Sequence, residues 1–124
     1  MTPKDIVRKL FDSFDALDMA TFASLFHEDA VIIVNGLHKY SRTYHGVNDW
    51  MQNMLGSLPI HFPNLKLTTQ GMVEDQGKVF TLVSITADNL ESTAVYHHTV
   101  ENGKIMSFHL YDDSQKFAHA MKAM

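Results

Sequence analysis

Apolar residues recur at helical spacing in the first part of the chain and at every second position in the latter part. Ile6, Leu10, Phe14 and Leu17, flanked by Val7 and Phe11, form a stripe of the kind an amphipathic helix presents. Thr2-Pro3-Lys4-Asp5 in front of it reads as a helix start, with Thr as N-cap, Pro at the first helical position and an acid in the first turn. Asp18 caps a second, shorter helix through Phe26 that buries Phe22, Leu25 and Phe26. The β-branched run "AVIIVNG" predicts a strand from Ala30 to Asn35. A polar, aromatic-rich loop, "GLHKYSRTYHG", leads to a third helix beginning near Val47. That helix draws its buried face from Val47, Trp50, Met51, Met54, Leu55 and Leu58, and Pro59 and Pro63 end it and start an extended stretch.

From Leu65 onward the period becomes two. The turn signals "DQG", "ADN" and "ENG" separate four strand-like segments, and "QKFAHAMKAM" closes the chain as a helix with Phe117 and Met121 on one face. Helices precede an antiparallel sheet, which makes the class α+β, and no linker or repeat divides residues 1–124 into more than one domain.

Asn102-Gly103 is a strong two-residue hairpin signal. With Glu101 paired to Lys104, opposed residues sum to 205, so Val95 faces Leu110, His97 faces Phe108 and Thr93 faces Asp112. One face then carries Met106, Phe108, Leu110 and Asp112 with Thr93, Val95, His97 and Thr99. The second strand is the more apolar on this side, so this face is expected to be interior. Asp112 is the single acid on that strand's inward row. Asp113 or Ser114 is a good N-cap for the last helix, and Asp113 is assigned to that role. Asp112 is open between a carboxylate facing a pocket and a structural acid, and a slip of one residue would reverse its face.

Net charge of −4, with Lys and Arg scattered, argues against a nucleic-acid partner. Zero cysteines excludes disulfides and thiolate chemistry and suits a cytoplasmic protein. The charged N-terminus lacks the apolar core of a signal peptide, and no segment approaches the roughly 18 apolar residues of a membrane span. Among eight histidines, His97 and His98 point to opposite faces as strand neighbours, and no close-spaced ligand pair occurs. No metal site and no cofactor is expected. His97 lies four residues along from the level of Asp112, about 13 Å away, too far for a hydrogen bond but within reach of the other end of one ligand.

The helix pair ending in "LFHEDAVIIVNG", the "YHGVNDWMQNML" helix and the "GKIMSFHLYDDSQKF" finish resemble the SnoaL-like polyketide cyclase group. That group belongs to the nuclear transport factor 2-like and ketosteroid isomerase-like superfamily. The resemblance covers nearly the whole chain. It implies a cone-shaped, curved antiparallel sheet wrapped around helices, a deep apolar cavity, and homodimerisation through the outer sheet face, which would cover Tyr96, His98, His109 and Tyr111.

The steroid isomerase residues do not carry over. Val34 and Asn35 stand where that group has its base, Val95 where it has an oxyanion-hole acid, and Leu10 or Phe14 where it has a tyrosine. The Arg-Asp-Asp constellation of related epoxide hydrolases likewise has no counterpart. Asp112 does match the place of the cyclases' general base, at the end of the last strand. The resemblance thus implies a small apolar, ring-containing or polyketide-like ligand and cofactor-free proton transfer. Asp112 would be the base and His97 or Asn35 would orient the substrate. Trp50, Met54, Phe108, Leu110 and Val95 would line the cavity, and Tyr40 with Tyr44 and His45 would close over its mouth. A non-catalytic binding protein and an interaction module acting through the outer sheet remain the alternatives.

Overall fold

The computed structural model describes residues 1–122; the end of the expected C-terminal helix, including Met124, lies outside the described residues. Helix α1 (Pro3–Asp15) starts as its sequence predicts. Thr2 Oγ1 accepts from the Asp5 amide at 3.1 Å while Asp5 Oδ2 accepts from the Thr2 amide at 3.1 Å, a reciprocal capping box. It buries Ile6, Val7 and Leu10, but Leu17 falls past its end in a left-handed turn (φ 58°) and is exposed. Helix α2 (Met19–Ser24) stops short of Phe26 because the chain is already extended there: β1 runs Phe26–Val34, longer than the β-branched run alone. A short strand, β2 (Thr43–His45), precedes α3 (Val47–Asn53). Pro59 does not end a helix but sits in the first turn of another, α4 (Leu58–His61), where its missing N–H is harmless.

The four expected strands follow: β3 (Lys66–Asp75), β4 (Lys78–Ala87), β5 (Leu90–Glu101) and β6 (Lys104–Asp112). Helix α5 (Ser114–Lys122) closes the described chain. Together the strands make one six-stranded curved sheet in the order β2-β1-β6-β5-β4-β3, antiparallel except where β1 runs parallel to β6. Asn102 (φ 51°) and Gly103 (φ 76°) both take the positive φ of the expected hairpin turn.

The register of that hairpin changes two pairs beyond the turn. Glu101 pairs with Lys104 and Val100 with Ile105, and then Thr99 pairs with Ser107, leaving Met106 as a bulge. Pairs beyond it sum to 206: His98 with Phe108, Tyr96 with Leu110, Ala94 with Asp112. Phe108, Leu110 and Asp112 therefore face inward as expected, but their neighbours on β5 are Ala94, Tyr96 and His98. His97 and Val95 are corrected to the outer face, where His97 stacks on Phe80 with ring centroids 4.4 Å apart and Val95 is exposed. Tyr96 and His98, expected on the outside, are buried.

Candidate functional site

The concave side of the sheet and helices α1, α3 and α4 enclose a cavity of about 60 Å³. Its wall is the hydrophobic core itself. Phe11 and Phe14 come from α1, Phe22 from α2, Trp50 and Met54 from the α3 region, Phe108 and Leu110 from β6 and Phe117 from α5. Aromatic side chains dominate, with Trp50 edge-on to Phe108 at 5.3 Å and Tyr96 edge-on to Phe108 at 5.1 Å. The Trp50 indole N–H donates to Met54 Sδ at 3.1 Å, so that pair presents an apolar surface to the cavity. A void of this size holds only a few waters, so anything as large as a ring compound would have to push wall side chains aside to enter. It shares Phe11, Phe14, Leu55, Leu58, Leu65 and Leu67 with a surface groove of about 500 Å³, so these six form the partition between interior and mouth.

Two titratable groups face the cavity. Asp112 sits at the end of β6, half-buried, and its Oδ1 has no hydrogen-bond partner among the described residues. Removal from water, and then the neighbouring Asp113 charge, raise its pKa to about 7. The Asp113 side chain does the capping, accepting from the Lys116 amide at 3.2 Å, which leaves the Asp112 side chain free of that duty. Tyr96 is the second group. It lies diagonally across from Asp112, since Asp112 pairs with Ala94 two residues along β5, a separation of about 7–8 Å between backbones. Burial, and then the Asp112 charge, raise the phenol pKa, so Tyr96 stays protonated as a donor.

Asn35 is drawn to the same end of the sheet but does not line the cavity. Its Nδ2 donates to the Asp112 backbone carbonyl at 2.9 Å and its Oδ1 accepts from the Asp112 amide at 3.5 Å. It thus fixes the backbone from which the carboxyl projects. The loop that follows is held close to α5: Gly36 (φ 92°) approaches Ser114 so tightly that a Cβ would sit 2.2 Å from the Ser114 Cβ. Tyr40 and Tyr44 are core residues rather than a lid. Tyr44 Oη donates to the Tyr40 carbonyl at 2.9 Å, and Tyr40 packs on His61 at 5.7 Å and is 3% exposed; His45 faces solvent. Met106 is spent in the bulge, and Glu91 is exposed, away from Asp112.

Of the residues singled out from sequence, Asp112, Trp50, Met54, Phe108 and Leu110 meet in the cavity, whereas Asn35, Tyr40, His97 and Val95 do not. Tyr96 and Phe11 are among the cavity residues that sequence reasoning missed as ligand contacts. The signal for Tyr96 was present. On β5 the row Ala94, Tyr96, His98, Val100 is more apolar than Thr93, Val95, His97, Thr99, in conflict with an unbroken hairpin register. Among the described residues no cluster of His, Asp or Glu is arranged to hold a metal ion, and no helix is long and apolar enough to cross a membrane.

Solved structures share this architecture. An NTF2-like protein of Burkholderia thailandensis matches with a TM-score of 0.87 at 19% identity, covering 98% of each chain. IdmH of Streptomyces antibioticus, a candidate polyketide cyclase, matches with a TM-score of 0.79 at 19% identity over 98% of this chain and 99% of that one. TerC, co-crystallised with polyporic acid, matches with a TM-score of 0.83 at 16% identity over 97% and 98%. At these identities the likeness is one of fold. No curated protein matches the sequence. The model of the SnoaL-like domain, in contrast, matches residues 7–108, from the first turns of α1 to Phe108 in the cavity wall. The chain belongs to the SnoaL-like domain family, with the NTF2-like fold.

Proposed function

We propose that this chain binds a flat, apolar ring compound in the cavity and transfers a proton to and from it without a cofactor. The observation that carries the reading is Asp112, a carboxyl whose Oδ1 has no hydrogen-bond partner among the described residues, held at the edge of an apolar, ring-lined cavity. A base is most useful when its pKa lies near the working pH, and burial holds Asp112 there. In the step proposed, the Asp112 carboxylate removes a proton from a carbon next to a carbonyl. The electron pair of the C–H bond moves onto the carbonyl oxygen, and the Tyr96 hydroxyl hydrogen-bonds the enolate that forms. Return of the proton to another atom of the enolate isomerises the compound, and attack of the enolate on a second carbonyl closes a ring. The fold neighbours IdmH, a candidate polyketide cyclase, and TerC, crystallised with polyporic acid, support a ring compound as ligand.

The test uses 2-tetralone, a fused bicyclic ketone with acidic C–H bonds, in deuterated buffer. The wild type is expected to accelerate exchange of its α-protons over buffer, and Asp112→Asn is expected to bind it without acceleration. Binding is read as a thermal shift: a ligand at about 100 times its dissociation constant stabilises by roughly 2.7 kcal/mol. Equal binding by both proteins with no exchange from either would replace the enzyme by a binding protein.

The outer sheet face favours a second copy of the chain as partner. Two cross-strand rows, Val73-Phe80-His97-His109 and Leu82-Val95-Tyr111, run across β3 to β6. Val73, Phe80, Leu82, Val95 and Tyr111 are each between 39% and 67% exposed. A homodimer through this face would cover His97, Val95, His109 and Tyr111 rather than the buried Tyr96 and His98.

A further inference from the structure

Deep under α1, the inward face of the sheet holds two polar side chains with nothing to bond. His98 and Thr81 are both 0% exposed, and the His98 Nδ1, His98 Nε2 and Thr81 Oγ1 atoms have no hydrogen-bond partner among the described residues. The two are diagonal neighbours, because Val79 pairs with His98 and Thr81 with Tyr96. Leaving such groups unmet costs about 1–3 kcal/mol each, so a cluster of three atoms calls for a physical reason. Apolar residues of similar size would stabilise the fold better at both positions.

Phe11 and Phe108, both on the cavity wall, pack on His98. The Phe11 ring stacks parallel to Tyr96 (6.2 Å, 1°) and stands edge-on to His98 (6.3 Å, 81°), while Phe108 lies against His98 at 3.9 Å. Phe11 is half-buried, and it lines the cavity, the mouth groove and a third recess beside Arg8 and Gln70. A side chain at the junction of three open spaces has somewhere to go. Rotating it out would join His98 and Thr81 to the cavity.

We infer that His98 and Thr81 form a second polar subsite, closed by Phe11, that takes a hydroxyl or carbonyl group of the ligand. A neutral imidazole offers one donor and one acceptor, and the threonine hydroxyl offers both, so the pair suits an uncharged phenol, enol or ketone. Burial, and the neighbouring His97, press the His98 pKa down to about 3, consistent with an uncharged partner. Along β5, His98 stands four residues from Ala94, the partner of Asp112, which separates the two polar ends by about 13 Å. The ligand class is therefore an elongated, fused ring system with an oxygen function at each end. This rests on the cavity reading above for the ligand's location, but not on proton transfer.

The experiment follows the ring nitrogens of His98 by NMR in histidine-labelled protein, titrated with phenol and with benzene. Wild type, Phe11→Ala and the milder Phe11→Leu are compared. Phenol is expected to shift the His98 signals where benzene does not, more strongly or faster in the Phe11 variants than in wild type. A hydrogen bond gained should favour phenol over benzene by roughly tenfold, and the preference should vanish in His98→Leu/Thr81→Val. Asp112→Asn should leave the His98 response intact, which separates this subsite from the proton-transfer proposal. A His98 signal indifferent to phenol in all three proteins would overturn the subsite. An equally large and fast response in wild type would overturn the gate.

Discussion

At the scale of single residues, the chemistry proposed for this protein turns on Asp112 and the groups that hold it. Its folded pKa of about 7 lies above the ordinary carboxylate value, so the folded state binds the proton more tightly than the unfolded chain does. The stability this confers is complete below about pH 4 and is lost as pH rises through about 7. Asp112→Asn removes the ionisation. It is expected to melt close to wild type at pH 4 and above wild type at pH 8, a difference read by calorimetry across that range. If Asp112 were solvated like an ordinary surface acid, the two curves would run parallel. Asn35 gives a second expectation. Its bond to the Asp112 carbonyl at 2.9 Å should be worth about 1 kcal/mol, so Asn35→Ala should lower stability by about that much in denaturant titration. The same change should weaken Asp112-dependent exchange of 2-tetralone by more than the loss of stability explains, because it releases the backbone that aims the carboxyl. Asp112 was legible in the sequence as an acid on an apolar row just before a cap. The part of Asn35 was not, because a bond over 77 positions leaves no local mark.

At the scale of elements, most of the order was readable from periodicity, capping and turns, and the faces of β5 were not. The capping box at Thr2, the Asp113 cap and the Asn102-Gly103 turn are local bargains among adjacent residues, so local sequence carries them. The bulge at Met106 is a compromise between strands. Ile105 and Phe108 both need the interior, and three positions separate them, an odd number that a regular strand cannot reconcile. One extra residue resolves the conflict and moves His97 and Val95 out while Tyr96 and His98 come in. Deleting Met106 should therefore leave the pairing intact. Ser107 would follow Ile105 directly, so Val100 with Ile105, Thr99 with Ser107 and His98 with Phe108 would stay paired, and the Phe108, Leu110, Asp112 and Tyr96, His98 rows would stay inward. Cooperative unfolding in circular dichroism is the expected result for the deletion, and Met106→Ala should keep the bulge and unfold within about 1 kcal/mol of wild type. Loss of cooperativity in the deletion alone would show that the twist the bulge adds is needed to curve the sheet.

At the scale of the whole molecule, the sheet has one surface that grips helices and another that presents hydrophobic side chains to solvent. Val95 and Leu82 lie near the middle of the exposed rows, paired directly with one another. If a second copy covers them, Leu82→Lys should yield monomers by light scattering at concentrations where wild type is dimeric, with the far-ultraviolet spectrum unchanged. A wild type that is itself monomeric would remove the second copy as partner. Of the outer-face residues expected from the family resemblance, His109 and Tyr111 lie there, and the register shift exchanges Tyr96 and His98 for Val95 and His97. On the opposite side, six side chains serve both as the inner wall of the cavity and as the lip of its mouth. A substitution among Phe11, Phe14, Leu55, Leu58, Leu65 and Leu67 cannot alter what the protein admits without also altering how firmly it holds itself together. For the ligand proposed above, selectivity and melting temperature would therefore shift together under substitution at any of the six.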